Sequence, residues 1–398
     1  MQMIEEIIKN ELVEIYFQPI VSIRTKRIYA YEALTRCFYK EKFIPPEILF
    51  DLAKQKKLSM QLDLLTRRKA IEKFHEYYLK DKDLILFLNF ESHSINSYDL
   101  KNNGYCFTKT IQELNIPAKN FMLEIKEDEI TNVEALQNFC HVYKKLGFSI
   151  ALDDFGTGNS TFDRIDLIKP ALIKIDKSLF IDIKNNQINK EIVSAISKMC
   201  KNIGTQVLAE GVEDMDAINV AMKKGINLFQ GYYFGKPNLG FSEMDKFNII
   251  IKVIKMGDTF KNSIIEGIKR KRVIINSYES VIKNIINKID TIESCNKIIQ
   301  NEFVKYSNIE AIYLIDERSS KQIHDTVMNE SFNSRFKPTK EGEEHYLKEY
   351  YYITQESKKG IFLSQKYISF ASGNICKTFA KKFEKNNQSY ILCLDIAV

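Results

Sequence analysis

Up to about residue 235 the chain alternates between two spacings of apolar residues. Short β-branched or aromatic runs, VEIYFQPI, RIYAYEAL, LILFLNF, FMLEIKE, SIALDDF, LIKIDK, QVLAEGVE and NLFQGYYF, read as eight strands. Between most of them, as over residues 45–79 and 190–204, apolar residues fall at three- and four-residue steps, the mark of helices packed on one face. Strand and helix alternating in this number predict an α/β fold, a modified (β/α)8 barrel of the TIM type. The modification lies at the start: the first two runs are joined by only a short turn, which leaves room for an antiparallel pair but not for a crossover helix.

From about Ser242 to Asp290 the pattern turns into one almost unbroken helical stretch without proline, along which Ile275, Tyr278, Ile282, Ile285 and Ile289 step by three and four. It predicts a long connecting helix whose apolar stripe could pair with a second copy of itself. The segment IKRKRV within it reads either as a polybasic patch or as a solvated helix face. Beyond Thr291 a helical segment leads into IEAIYLIDE, GIFLSQKYIS, NICKTFAKKF and SYILCLDIAV, the strands of a small antiparallel sheet in an α+β domain. That part carries no second set of placed acids and no glycine-rich phosphate loop, so no chemistry is expected from it. The expected division is a barrel over 1–241, a connecting helix over 242–290 and a small domain over 291–398.

Composition narrows the function classes. A formal charge of +6 over 398 residues is too slight to mark a nucleic-acid binder and mildly favours an anionic ligand. No apolar run approaches the roughly 20 residues that cross a bilayer, and no start resembles a secretion signal, so a cytoplasmic protein without a membrane partner is expected. The 7 cysteines are scattered and never spaced C-x-x-C, which argues against a disulfide framework and a zinc cluster alike. The 5 histidines are equally dispersed, so a metal site here has to be built from oxygen ligands.

Oxygen ligands recur where they would be useful. In a barrel of this kind the strand ends and the loops after them form the active face. Glu32, Asn89, Glu124, the adjacent Asp153 and Asp154, and Glu210 fall at or near the ends of five of the runs. So many acids around one mouth repel each other unless a cation lies among them, and hard divalent cations suit such a cage. Where the strand yields to FGTG the backbone can bend and bring both aspartates round one centre. Lys174 adds a cation to the same rim. Taken singly, each has a plainer reading: Asp153 and Asp154 as a turn or helix-cap pair, Lys174 as an exposed strand-end lysine, Glu32 as an ordinary surface acid.

Six segments, YFQPIVSIRTKRIYAYEALTR, LEIKE, LDDFGTGNS, IKIDKSLF, LAEGVED and FQGYYFGKP, resemble in order and spacing the EAL-domain cyclic di-GMP phosphodiesterases, over roughly residues 1–240. The resemblance implies hydrolysis of cyclic bis-(3′,5′)-guanosine monophosphate to linear pGpG with two Mg²⁺ or Mn²⁺ ions. It implies that Glu32, Asn89, Glu124 and Asp153 hold one ion and that Asp153, Asp154 and Glu210 serve the other. Lys174 would position the attacking water and Glu210 would also act as general base, while Gln18, Arg36, Asp176, Glu213 and Gln230 fall around the nucleotide. Glu127 matches the glutamate that steadies the DDFGTG loop and couples it to dimer contacts, so a homodimer is implied. Three positions depart from the family pattern: Glu91 and Lys126 replace a usual serine and threonine, and Asn159 a frequent aromatic. They bear on turnover and loop coupling, and the alternative to an enzyme is a weak or inactive cyclic di-GMP receptor. The C-terminal part resembles PAS-like or Cache-like modules, which implies a sensor of a small-molecule or protein signal.

Overall fold

In the computed structural model, β1 (Val13–Ser22) and β2 (Arg27–Tyr39) form an antiparallel hairpin, as their short connection requires. The structure describes residues 2–90, 95, 106–126, 130, 132–157, 162–329, 337–369 and 372–398. β2 continues into β3 (Lys42–Ile44), a second hairpin too short to stand out in the sequence pattern. β4 (Ile85–Phe90), β5 (Phe121–Lys126), β6 (Ser149–Phe155), β7 (Leu172–Ile175), β8 (Gln206–Ala209) and β9 (Leu228–Gln230) then run parallel to β2 in turn. β9 meets β1 antiparallel and closes an eight-strand barrel, with β3 outside it.

The helices between the strands start and stop where their sequences dictate. Asn132, Asn186 and Asp214 cap Val133–Lys145, Gln187–Ile203 and Met215–Lys223, each side chain accepting a backbone N–H that the first helical turn leaves unpaired. Gly204 ends the second of these in the left-handed region, at φ 76°. Their apolar faces cover the outside of the barrel in one large cluster that includes Phe74, Phe121, Phe139 and Tyr143. A separate layer fills the interior: Ile20, Ala30, Phe87, Met122, Ala151, Leu172, Leu208 and Leu228, one from each strand. This layer is the floor on which the site stands.

Two compact units, 1–262 and 263–398, divide the chain. The long helix runs from Glu243 to Lys288. Its early turns bury Ile249, Val253 and Met256 in the core of the first unit. In the second unit Ile282 and Ile285, with Ile289 just beyond, are fully buried against the sheet, and Ile275 and Tyr278 pack beside them. The stripe read from the sequence as a self-pairing face is therefore covered by the chain's own C-terminal sheet. The IKRKRV segment, residues 268–273, is exposed throughout, as both of its readings require.

The C-terminal unit is α+β. Its antiparallel sheet has the order β11 (Val327–Met328), β10 (Ile309–Asp316), β15 (Gln388–Ala397), β14 (Ile375–Lys385), β12 (Ile361–Leu363), and β13 (Tyr367–Ile368) pairs with β14. One sheet face meets the long helix, while the other carries Tyr313, Ala380, Ile391 and Cys393 beside Tyr350 and Tyr351. On that second side His345 lies stacked on Tyr313 at 5.6 Å, its ring nitrogens 2.6 Å from the Tyr350 hydroxyl and 2.9 Å from Gln322 Oε1. The six cysteines whose side chains are described are buried free thiols. Among the described residues no helix is long and apolar enough to cross a membrane.

Candidate active site

Successive strand residues alternate faces, so the residue two steps past the interior apolar layer also points into the barrel, one level nearer the mouth. Those residues are Glu32 after Ala30, Asn89 after Phe87, Glu124 after Met122, Asp153 after Ala151, Lys174 after Leu172, Glu210 after Leu208 and Gln230 after Leu228. On the antiparallel β1 the same step runs backwards, from Ile20 to Gln18, which lies opposite Glu32. A wholly apolar layer is thus followed by a wholly polar one. It floors a cleft of about 820 Å³ whose lining includes Arg36, Lys126 and Asp176.

Lys174 stands at the centre of the polar layer. Its Nζ lies 2.5 Å from Glu210 Oε1, 2.6 Å from Glu124 Oε1, 2.9 Å from Asp153 Oδ1 and 3.8 Å from Glu32 Oε1. The exposed-lysine reading fails, since the residue is 1 % accessible, and so does the surface-acid reading of Glu32, which is buried. Burial alone would strip Lys174 of its proton, but the four carboxylates reverse that and raise its pKa well above the ordinary value. Burial, and then repulsion from Glu32, push Glu124 far up; at Asp153 burial also raises the carboxyl, but Lys174, with Lys126 and the Asp154 N–H, together more than offset it and hold it down. Glu210, though its side chain keeps 16 % exposure, is raised by burial to about 8. Around Glu32, Asn89 Nδ2 donates to Oε1 at 3.2 Å and Gln230 Nε2 donates to Oε2, while Gln230 also donates to Gln18 Oε1 at 3.1 Å.

Asp153 and Asp154 are neighbours, and a regular strand would turn them to opposite faces. β6 breaks its register against β7 between Leu152 and Phe155, and Asp154 takes the left-handed φ of 52°. This bulge brings oxygens of Asp153, Asp154 and Glu210 within 4.8 Å of one another. Among the described residues neither aspartate caps a helix, and the chain turns at Asp154, whose carbonyl accepts from the Thr157 hydroxyl. Both carboxylate oxygens of Glu124, and Asp153 Oδ1, are buried without a hydrogen bond of normal geometry, although Lys174 lies close by. An ammonium has three donors and cannot satisfy four carboxylates. Oxygen donors left unsatisfied in an all-oxygen cage fit hard divalent cations.

Farther up the cleft the expected residues are less tightly fixed. Arg36 donates to the Thr35 carbonyl and reaches over the Tyr16 ring. Asp176 accepts the Ser178 N–H at the start of a short 3₁₀ turn, and Glu213 stands exposed on the cleft wall. Glu127, Glu91 and Asn159 lie outside the described residues.

Lys126, which the sequence marks only as a departure from the family pattern, and two residues without a role in the sequence reading also stand at the cleft. Lys126 Nζ contacts Asp154 Oδ2 at 2.7 Å. Asp63 and Arg67, on the helix Ser59–Lys80, form a buried ion pair of 2.8 Å in the cleft wall, with the Arg67 guanidinium 3.7 Å above the Phe90 ring. The i,i+4 step in DLLTR signals that pair. The contact of Lys126 with Asp154 is signalled by the period-two step from Glu124, at the position where the family pattern has threonine.

The sequence model of the EAL domain family matches residues 1–237. The chain belongs to the EAL domain family. A relative of similar length is the uncharacterized EAL-domain containing protein YkuI of Bacillus subtilis, 24 % identical over 393 residues, 94 % of this chain and 92 % of YkuI. The cyclic di-GMP phosphodiesterase PdeA of Borreliella burgdorferi is 28 % identical over 238 residues, 59 % of this chain but only 35 % of PdeA. The crystal structure of Bacillus subtilis YkuI in complex with substrate c-di-GMP and calcium superposes with a TM-score of 0.79 at 22 % identity, over 100 % of both chains. That likeness establishes the fold. BlrP1 of Klebsiella pneumoniae, in a manganese and cyclic di-GMP complex, gives a TM-score of 0.52 at 25 % identity over 57 % of this chain and 56 % of BlrP1. The EAL barrel here is thus a mixed α/β fold whose relatives include cyclic di-GMP phosphodiesterases and whose neighbours include nucleotide-bound structures with divalent metals.

Proposed function

We propose that the barrel hydrolyses cyclic di-GMP to linear pGpG. The observation that supports this best is the set of Glu32, Glu124, Asp153 and Glu210 around buried Lys174, joined by Asn89 on Glu32 and Asp154 beside Asp153 and Glu210, an acidic cage with more negative charge than Lys174 can balance. Glu32, Asn89, Glu124 and Asp153 would hold one Mg²⁺ or Mn²⁺, and Asp153, Asp154 and Glu210 a second. When bound, such ions supply positive charge at the attacked phosphate and acidify a nearby water.

The chain's own groups do the rest. Once its carboxylate partners are otherwise occupied, the Lys174 ammonium donates to the oxygen of the attacking water and fixes it in line with the scissile bond. Glu210 takes the water's proton. The water oxygen bonds to phosphorus as the bond from phosphorus to the 3′-oxygen breaks, and that oxygen takes up a proton from solvent, so the product keeps a 5′-phosphate. Gln18, Arg36, Asp176, Glu213 and Gln230 orient the nucleotide, and the planar fork of Arg36 suits a phosphate or a guanine edge. Glu127 acts through the loop after Asp154. The protein works in the cytoplasm as a homodimer, and the C-terminal unit is a PAS-like sensor of a small-molecule or protein signal that sets barrel activity.

Incubating the pure chain with cyclic di-GMP and Mg²⁺ or Mn²⁺ tests the reading: pGpG should accumulate, and Glu32→Ala should abolish it. No product with either metal would overturn it. One observation favours a second reading, a receptor that binds the nucleotide with little turnover: the Lys126 ammonium already sits on Asp154. Saturable binding without product selects that reading.

A further inference from the structure

We propose that Lys126 is a tethered counter-ion for Asp154, which a divalent cation must displace before it can bind at the Asp153, Asp154 and Glu210 oxygens. The inference rests on the reading above, that this cage holds cations. β5 carries Met122, Glu124 and Lys126 on one face, so Lys126 rises directly above Glu124 at the mouth. It lies in register with Asp153 of β6, and its Nζ reaches Asp154 Oδ2 at 2.7 Å. A hard cation contacts carboxylate oxygen at about 2.0–2.6 Å. An ammonium at hydrogen-bonding distance from Asp154 therefore competes with that cation for the same carboxylate, and the two positive charges repel in a partly desolvated cleft.

The two lysines of the cage are not equivalent. Lys174 is sealed, with 2 % side-chain exposure, and cannot leave. Lys126 has 52 % exposure and a flexible stem, so its head can swing to solvent. A half-exposed ion pair holds weakly by itself, and the competition comes from the repulsion between the ammonium and a doubly charged ion. Because Lys126 also lines the cleft, an anionic phosphate entering there draws the ammonium off Asp154. Nucleotide and second cation then favour each other's binding, a positive coupling between two ligands through one movable charge.

The test is Mn²⁺ binding by the full-length chain, followed by electron paramagnetic resonance of the free ion, in wild type, Lys126→Met and Lys126→Arg. Lys126→Met should tighten the weaker Mn²⁺ site about tenfold, within the range of ordinary coupling between sites. Lys126→Arg, which keeps the charge, should leave it close to wild type. Two Mn²⁺ sites with unchanged affinities in Lys126→Met would sink this inference and leave the cation cage standing. No Mn²⁺ bound by any of the three proteins would overturn the cage reading as well.

Discussion

Glu124 Oε1 and Lys174 Nζ stand 2.6 Å apart on the same polar level of the barrel mouth, both closed off from solvent. Lys174 is the only cation within salt-bridge reach of Glu124 among the described residues, and it is shared with three more acids. Replacing it by methionine leaves a knot of buried like charges. Breaking a buried pair from one side typically costs about 3–5 kcal/mol. Lys174→Met should lose stability on that scale in chelator-treated protein, and millimolar Mg²⁺ or Mn²⁺ should restore part of it, since ligands that bind the folded state alone stabilise it. Thermal unfolding with and without metal reads both effects.

Glu124→Gln should do the opposite. Burial and the neighbouring Glu32 already push the Glu124 carboxyl toward its neutral form. A neutral amide of the same shape removes that repulsion and leaves Lys174 three acids, so stability without metal should hold or rise. Cyclic di-GMP hydrolysis should nevertheless be lost with the carboxylate charge, which an amide oxygen does not replace. Melting temperature and product formation, measured on one preparation, show whether stability and activity part company.

Gly231 follows Gln230 where a Cβ would collide with the backbone nitrogen and oxygen of Val212. The close approach ties the loop after Glu210 to β9, since Val212 N–H donates to the Gln230 carbonyl at 3.1 Å. Gly231→Ala should cost about 1–3 kcal/mol by overpacking. It should also weaken nucleotide binding, because Glu213 and Gln230 shift with the loop, and calorimetric titration of cyclic di-GMP against the variant checks this.

The C-terminal unit should be sensitive to acid through His345. Burial lowers its pKa to about 4, with Lys348 adding to the effect. Below an unfolded value of about 6.5 the unfolded chain takes up a proton that the folded chain refuses. Stability from this group is therefore full above about 6.5 and is lost as pH falls toward 4, about 2 kcal/mol of it between pH 7 and pH 5. Asp395 works the other way. Burial of its carboxyl raises it to about 6, so its contribution is fullest below the unfolded carboxylate value and is lost as pH rises through 6. Replacing His345 by glutamine isolates the first effect: in scanning calorimetry at pH 5 and pH 7, the variant should show a smaller acid-induced shift of the C-terminal transition than wild type.

Much of this site was legible because strands have a period of two. Ala30 to Glu32, Met122 to Glu124 and Ala151 to Asp153 are each a step from an apolar interior level to a polar one. The barrel followed from the alternation of strand and helix. Sequence spacing is silent on depth and on partners across the barrel. Lys174 looks the same in the string whether it is solvated or sealed, and only closure of the sheet puts four acids around it. FGTG signals that the chain bends beside the two aspartates, but not that Asp154 itself takes the left-handed φ, which accompanies a register break between β6 and β7. The stripe from Ile275 to Ile289 misled for a related reason: an apolar helix face states that it is covered, not by what.

Diffraction from crystals of the full chain soaked in Mn²⁺, recorded for the anomalous signal of manganese, tests the cage most directly. The expected result is one peak among Glu32, Asn89, Glu124 and Asp153 and a second among Asp153, Asp154 and Glu210. A map without manganese at these carboxylates, in crystals that take up the ion elsewhere, would contradict the account.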